Sequence, residues 1–558
     1  MDNEELLKEQ QKINAAEHPK AWDPAVMVLA VPLCVVGAII GLELIVRTGV
    51  TPNSSIIGAL FAILLSRIPL AFTQKYRSLH RQNLLQTSIS AATFAAANCM
   101  ILPIGIPVIM GRSDLMFPML IGVTLATAID ATILYRCFGS EMFPAEGAWP
   151  PGVACAESMM AVVEKGRKAL LLIVGIAIGW VGKIFGIPTD LLGVSWFGDV
   201  GAMVALALGS LVIGVFKVNG FSFSILNMPF NFITNAFGTG FKYTDYTALN
   251  YMPHGVMIGA GVISLVQCGI SLFKKTKNEK VDAKITVSSK SMKRTLGNGY
   301  IAYLVVALLL AIVCGLLSEM TPVQFVIWLI FAAIAAEASE LIVGVSAMYS
   351  GWFPGFATAL IFLIIGMLMG FPALSLGILV GFTAATGPCF SDMAYDLKCG
   401  FILRGNGANP ELEKEGRKQQ FIAEQMGFVI AFIMVAIFAN KYFGQGLFVA
   451  VSKTFVTTID AGTKGEVAKW LLIWSIPGAL IQLFGGKHQL GILFATGLLV
   501  GNIINGLTIL LGILIRVIAV RSNKENIQIL NIMGAGALAG AAIYSFFTAT
   551  LGLFGKKK

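Results

Sequence analysis

Acidic residues set inside apolar runs are the first features of this sequence that could do chemistry. The stretch "FAAIAAEASELIVG" places Glu337 and Glu340 three residues apart, so on a helix they stack on one face. Glu43, Asp130 and Glu424 are isolated in the same way. An unpaired charge in hydrocarbon is costly, and such residues mark ion and substrate pathways. An acid that burial keeps protonated becomes a proton-coupling element, and the candidates are Glu337, Glu340, Asp130 and Glu424. The alternative is structural. Glu337 and Glu340 would bond to backbone or to an arginine of a neighbouring helix, and Asp130 to Arg136 six residues on.

A second group lies where the apolar runs break. "FPAEGAWPPGVACAES" (143–158) holds three prolines, two glycines and two glutamates between hydrophobic stretches. Pro144, Gly147, Pro150, Pro151 and Gly152 cannot sit in one continuous helix, while Pro150 and Pro151 suit the first turn of a new one. Such a helix start would aim free N–H groups and its positive end at an anionic substrate group or at Glu157. A plain interfacial loop is the competing reading. "ATGPCFSDMAYDLKCGFILRGNG" (385–407) is a comparable interruption, in which Asp392 and Asp396, four apart, share a helical face. They could receive protons or a cationic group, or Asp396 could pair with Lys398 or Arg404. The segment "RQNLLQTSISAATFAAAN" collects Gln86, Thr87, Ser90 and Asn98 among alanines. That mixture suits close helix packing with hydrogen bonds across a bundle, and equally a substrate route. The candidate substrate-contacting residues are Gln86, Asn98, Glu146, Gly147, Gly152, Glu157, Thr386, Asp392, Tyr395 and Asp396.

These residues need membrane helices to hold them. The chain has 558 residues, a mean hydropathy of +0.80 and only 13% charged residues, against about 25% in soluble proteins. The fold class is an all-α polytopic membrane protein. Apolar runs of spanning length number about fifteen. With the broken stretches 143–160, 221–241 and 444–460, the expectation is about sixteen transmembrane or half-membrane helices with discontinuous helices at the site. The net charge of +10 is a topology signal, not a nucleic-acid one. The basic runs 74–82, 164–168, 274–294 and 413–420 belong on the cytoplasmic side, which places the chain in the cytoplasmic (inner) membrane among lipid. No signal peptide is apparent, and the polar residues 1–24 read as a cytoplasmic tail. Near the C-terminus, Arg516 and Arg521 conflict with the final "KKK" if one full span separates them. The eight cysteines form no CxxC and the four histidines are scattered, so neither a disulfide framework nor a metal site is expected. With no HExxH, Walker A or nucleophile elbow, no cofactor, ATP-driven pump or membrane enzyme is expected.

The two halves echo one another. "LMFPMLIGVTLATA" (115–128) and "LSLGILVGFTAATG" (374–387) agree at five positions, "GRK" recurs at 166–168 and 416–418, and "ELIV" at 43–46 and 340–343. The same order in both halves points to a tandem duplication, an arrangement of secondary carriers that place substrate between repeats. The organisation read from this is a tail (1–24), a first repeat (25–273), a basic linker (274–298), a second repeat (299–552) and a basic tail (553–558). Small-residue faces also allow a homodimer. A channel would share the polar interior but show steady conductance without coupled proton movement.

Four stretches in order resemble the oligopeptide transporter (OPT) family, closest to its bacterial branch and related to the yellow-stripe-like metal-chelate carriers. They are "GLELIVRTGVTPNSSIIGA" (41–59), "RQNLLQTSISAATFAAA" (81–97), "PPGVACAES" (150–158) and "DLKCGFILRGNGANPELEKEGRKQQ" (396–420). Pro151 stands where the bacterial branch usually has glutamate, and "AMYSGWFPGF" (347–356) replaces the family's serine–asparagine–proline run. The resemblance implies proton-driven uptake of small peptides, or of metals that arrive already chelated, by a duplicated helical bundle.

Overall fold

The structure is a computed structural model that describes residues 13–48, 58–59, 78–164, 167–216, 246–273, 286–351, 353–462 and 465–554. The expected broken stretch at 221–241 lies outside them. The described residues form helices and no strand. The first half contains α1 (Pro24–Thr48), α2 (Leu79–Phe94), α3 (Leu102–Ile109), α4 (Met116–Cys137), α5 (Pro150–Glu164), α6 (Arg167–Ile184), α7 (Thr189–Phe197), α8 (Val200–Phe216) and α9 (Met252–Phe273). The second contains α10 (Ser289–Val313), α11 (Pro322–Ser350), α12 (Gly355–Leu368), α13 (Ala373–Ala384), α14 (Pro388–Leu403), α15 (Pro410–Gly444) and α16 (Ala450–Ala461). It ends with α17 (Gly465–Gly485), α18 (Leu490–Val500), α19 (Ile503–Ser522) and α20 (Asn526–Phe554). Among the described residues, eight helical segments are long and apolar enough to cross a membrane.

Local chemistry sets the boundaries. Thr321 and Gln324 form a reciprocal cap ahead of Pro322, and α11 stops at Gly351, whose φ of 70° suits glycine. The Asn409 side chain accepts from the Glu411 and Leu412 amides to open α15. Ser288 accepts from Ser291, so α10 begins inside the segment assigned to the linker, whose basic 289–294 run is helical. The stretch 444–460 contains the short helix α16 rather than a span. Between α2 and α3 the chain makes a π-helical turn, Ala95–Ile101, of the kind frequent at functional sites.

Burial separates inner from outer helices. Every residue of α2 from Gln82 to Phe94 is buried, as is all of α14 apart from Ile402. These two helices, both rich in polar side chains, are therefore central. The periphery shows apolar stripes at helical spacing: Ile301, Val305, Leu309 and Ile312 on α10, Val429, Ile433 and Ile437 on α15, and Leu507, Leu511, Leu514 and Ile518 on α19. In water such stripes would be a liability; they suit the outer faces of a polytopic membrane protein.

The buried apolar residues fall into two clusters. One joins α1–α5 to α10–α16, and the other joins α6–α9 to α18–α20. Each half of the chain thus contributes to both bodies. Close crossings in the second body rest on glycine: Gly175 of α6 against Gly536 of α20, and Gly209 of α8 against Gly497 of α18. A Cβ at any of these would overlap the facing backbone, the small-residue logic of membrane helix packing.

Candidate functional site

The centre of the molecule is the start of α14. The chain leaves α13, turns at Gly387 with φ 96°, and resumes as a helix at Pro388. Proline costs nothing there because the first amides of a helix have no internal partner. Two of those amides still need acceptors, and Asp130 of α4 supplies both. Its Oδ1 accepts from Gly387 N–H at 3.0 Å and its Oδ2 from Phe390 N–H at 2.7 Å. The local pairing with Arg136 does not form, since Asp130 is buried and Arg136 is exposed. Glu340 of α11 lies against Asp130, and its Oε2 accepts from the Tyr303 hydroxyl at 2.6 Å. Glu337 sits one turn away, half-buried. Thr386 turns its hydroxyl to the Ala336 carbonyl at 3.0 Å.

One turn and more along α14, both further aspartates face α2, as their four-residue spacing requires. Ser90 lies 3.0 Å from both carboxylate oxygens of Asp392, and Gln86 Nε2 donates to Asp396 Oδ1 at 2.5 Å. Asn83 donates to Gln86 and fixes its amide. Gln420 of α15 donates to the Asp396 carbonyl at 2.6 Å and lies 3.2 Å from the Thr87 hydroxyl. Glu424, one turn further along α15, is fully buried beside Asp392 and Asp396, and neither of its oxygens has a hydrogen-bond partner among the described residues. The Tyr395 hydroxyl is buried and unpartnered in the same sense. Lys398 of α14 and Arg404, just past its end, have other partners. Lys398 donates to the Ala145 carbonyl at 2.8 Å, and Arg404 is held by Glu413 and Gln420. Asn98 lies in the π turn, its amide 3.4 Å from the Phe94 carbonyl.

The proline-rich break meets this centre from one side. Gly152 packs against Tyr395 and Lys398, and Cys155 meets Cys399, so the two interrupted segments of the sequence are neighbours in space. The expectation that this helix start presents free N–H groups is corrected. Pro150 and Pro151 have none, the Gly152 and Val153 amides both donate to Trp149 O, and Trp149 N–H donates to Met348 O at 2.9 Å. An anion finds no free amide there. The loop ahead of it also reaches the surface: Gly139 O accepts from Thr286 and Val287, Phe138 O accepts from Arg417, and Glu146 is exposed. The break at Gly387 is the buried one. Gly147 is half-buried above Trp149, and Glu157 is half-buried on α5.

Tyr303, Gln420 and Glu413 escaped the reading of the sequence. Tyr303 belongs to an ordinary apolar helix, and its partner is 37 residues away. The described cysteines are free thiols. Among the described residues no group of three or more His, Cys, Asp or Glu is arranged to hold a metal ion.

Long apolar helices wrapped around a polar, acidic interior define a polytopic membrane protein whose chemistry is internal. The family model for the OPT oligopeptide transporter protein matches residues 21–274 and 250–551. The chain belongs to the OPT oligopeptide transporter family, a family of transporters. No curated protein matches it.

Proposed function

We propose that this protein is a proton-coupled symporter of the cytoplasmic membrane that imports small oligopeptides or peptide-like compounds. One observation carries the reading: Glu424 is fully buried where α15 meets α14, beside Asp392 and Asp396, and neither of its oxygens has a hydrogen-bond partner among the described residues. A purely structural interior would pair or omit such a group, because an uncompensated buried charge is costly. Substrate would bind between two halves related by duplication. On one side lie Glu146, Gly147, Gly152 and Glu157. On the other lie Thr386, Asp392, Tyr395 and Asp396, with Gln86 and Asn98 between. Protons would travel on Glu337, Glu340, Asp130 and Glu424. The sequence resemblance to the yellow-stripe-like carriers keeps a metal chelate as the second substrate class, and small-residue faces would allow a homodimer.

Uptake into proteoliposomes under an imposed pH gradient tests the reading. A labelled tripeptide should accumulate with the gradient and stop when a protonophore collapses it. Steady conductance in planar bilayers without accumulation would make the protein a channel. Competition by glutathione, or by ferric or nickel chelates, sorts the substrate class.

A further inference from the structure

The acids of the interior are not equivalent, and the difference assigns the moving proton. Asp130 spends both oxygens on the amides of α14, and one oxygen of Glu340 is taken by the Tyr303 hydroxyl. Any change of charge on Asp130 is tied to unmaking the start of α14. Glu424 has no such tie. It is fully buried, both oxygens lack a partner among the described residues, and its carboxylate neighbours already have donors of their own in Ser90 and Gln86.

We infer that Glu424 is the site of the exchangeable proton of this carrier. The inference rests on the proton-coupled reading above and deepens it to a residue. The titratable groups acting on Glu424 are Asp392, Asp396 and Cys389 from α14, Asp130 from α4 and Cys99 from the π turn. On the α2 side the contacts nearby are uncharged, with Ser88 and Ala91 against Gly427. α1 carries Cys34, which meets Ser88, and half-buried Glu43. Among the described residues no donor reaches either oxygen of Glu424, so an ionised Glu424 would be a buried negative charge without one. Movement of α15 against α14 that admits water would let the proton leave; the opposite movement would trap it. No metal-holding arrangement competes for the position among the described residues.

Two measurements test this, one of them independent of substrate. In infrared difference spectra of the purified protein under a pH step, wild type should show the carbonyl band of a buried protonated carboxyl. Glu424→Gln should lose one such band, and Glu424→Asp should shift it instead. In proteoliposomes with labelled trialanine, gradient-driven accumulation divided by counterflow should fall in Glu424→Gln. For one coupled proton the loss is about tenfold per unit of imposed pH gradient. A band unchanged in Glu424→Gln, or an unchanged ratio, overturns the assignment. Wild-type uptake that ignores the gradient defeats the symporter reading instead, and the infrared band then still decides whether Glu424 carries the proton. Glutamine is isosteric with the neutral acid; should that variant fail to fold, the band shift in Glu424→Asp carries the test.

Discussion

α15 carries two buried glutamates on its path along α14, and their surroundings are opposites. Glu413 meets a full set of bases: Arg404 Nε at 2.7 Å, Arg404 Nη2 at 3.2 Å and Arg417 Nε at 3.0 Å. Gln420 occupies the remaining Arg404 nitrogen at 2.8 Å. Glu424, about 16 Å further along the helix, has no hydrogen-bond partner at either oxygen among the described residues. Burial is the same in both places, so burial does not distinguish scaffold from working site. The presence of a counter-charge does. The Arg404–Glu413–Arg417 cluster clamps the basic end of the α14/α15 pair, while the region around Glu424 is left electrostatically unfinished.

The largest predicted effect breaks this comparison directly. Glu413→Gln leaves Arg404 as an uncompensated buried charge and should cost about 3–5 kcal/mol, read as a fall in thermal unfolding temperature in detergent. Glu424→Gln, the same change on the same helix, breaks no ion pair or hydrogen bond among the described residues and should cost clearly less. Equal losses at the two positions would remove the distinction. Gly152→Ala comes next. The added Cβ would overlap the Tyr395 carbonyl and the Lys398 side chain, forcing α5 off α14 at about 1–3 kcal/mol. Uptake should fall with it if the contact of the two segments matters for transport. Asp130→Asn follows. Asparagine keeps one acceptor but turns an amide donor toward the other N–H, so the cap of α14 weakens by about 1 kcal/mol. The same melting assay should rank it below Gly152→Ala.

How much of this could be read from the sequence depends on the range of each interaction. The helical class, the two interruptions and the shared face of Asp392 and Asp396 follow from composition and spacing, and the structure has them. The partners did not follow. Asp130 is claimed by amides 257 and 260 residues away, whereas the local rule offered Arg136. Asp396 takes Gln86 from the other half of the chain, and the nearby Lys398 and Arg404 turn elsewhere. Proline signalled where α5 begins but not that the Trp149 carbonyl would take up its first free amides. Local pattern identifies which residues are exceptional; only the packing of α2, α14 and α15 decides which of them go unpaired.

The smallest expected effect lies at the clamped end, where the N-terminal segment docks. Ala21 N–H donates to Gln419 Oε1 at 2.8 Å, Lys20 pairs with Glu415, and Asp23 lies 3.3 Å from Arg81. His18 is buried there, its Nδ1 2.9 Å from Pro19 O and its ring 5.1 Å from that of His80. Burial first, then the positive Arg404 and neighbouring His80, push its pKa down from 6.5 to about 3. A histidine held neutral by folding contributes docking stability above its free value, and that contribution is lost as pH falls from 6.5 toward 3. Near pH 6 the loss is below about 1 kcal/mol, and it steepens to about 1.4 kcal/mol per pH unit further down. Amide protection of residues 13–23, exchange rates divided into their intrinsic rates at each pH, should therefore fall on mild acidification while that of α14 does not. His18→Gln should flatten the dependence, since glutamine has no charge to gain. A fall that persists in His18→Gln would assign the pH response to the Lys20–Glu415 pair, and the clamp would then owe its acid sensitivity to surface charge and not to the buried ring.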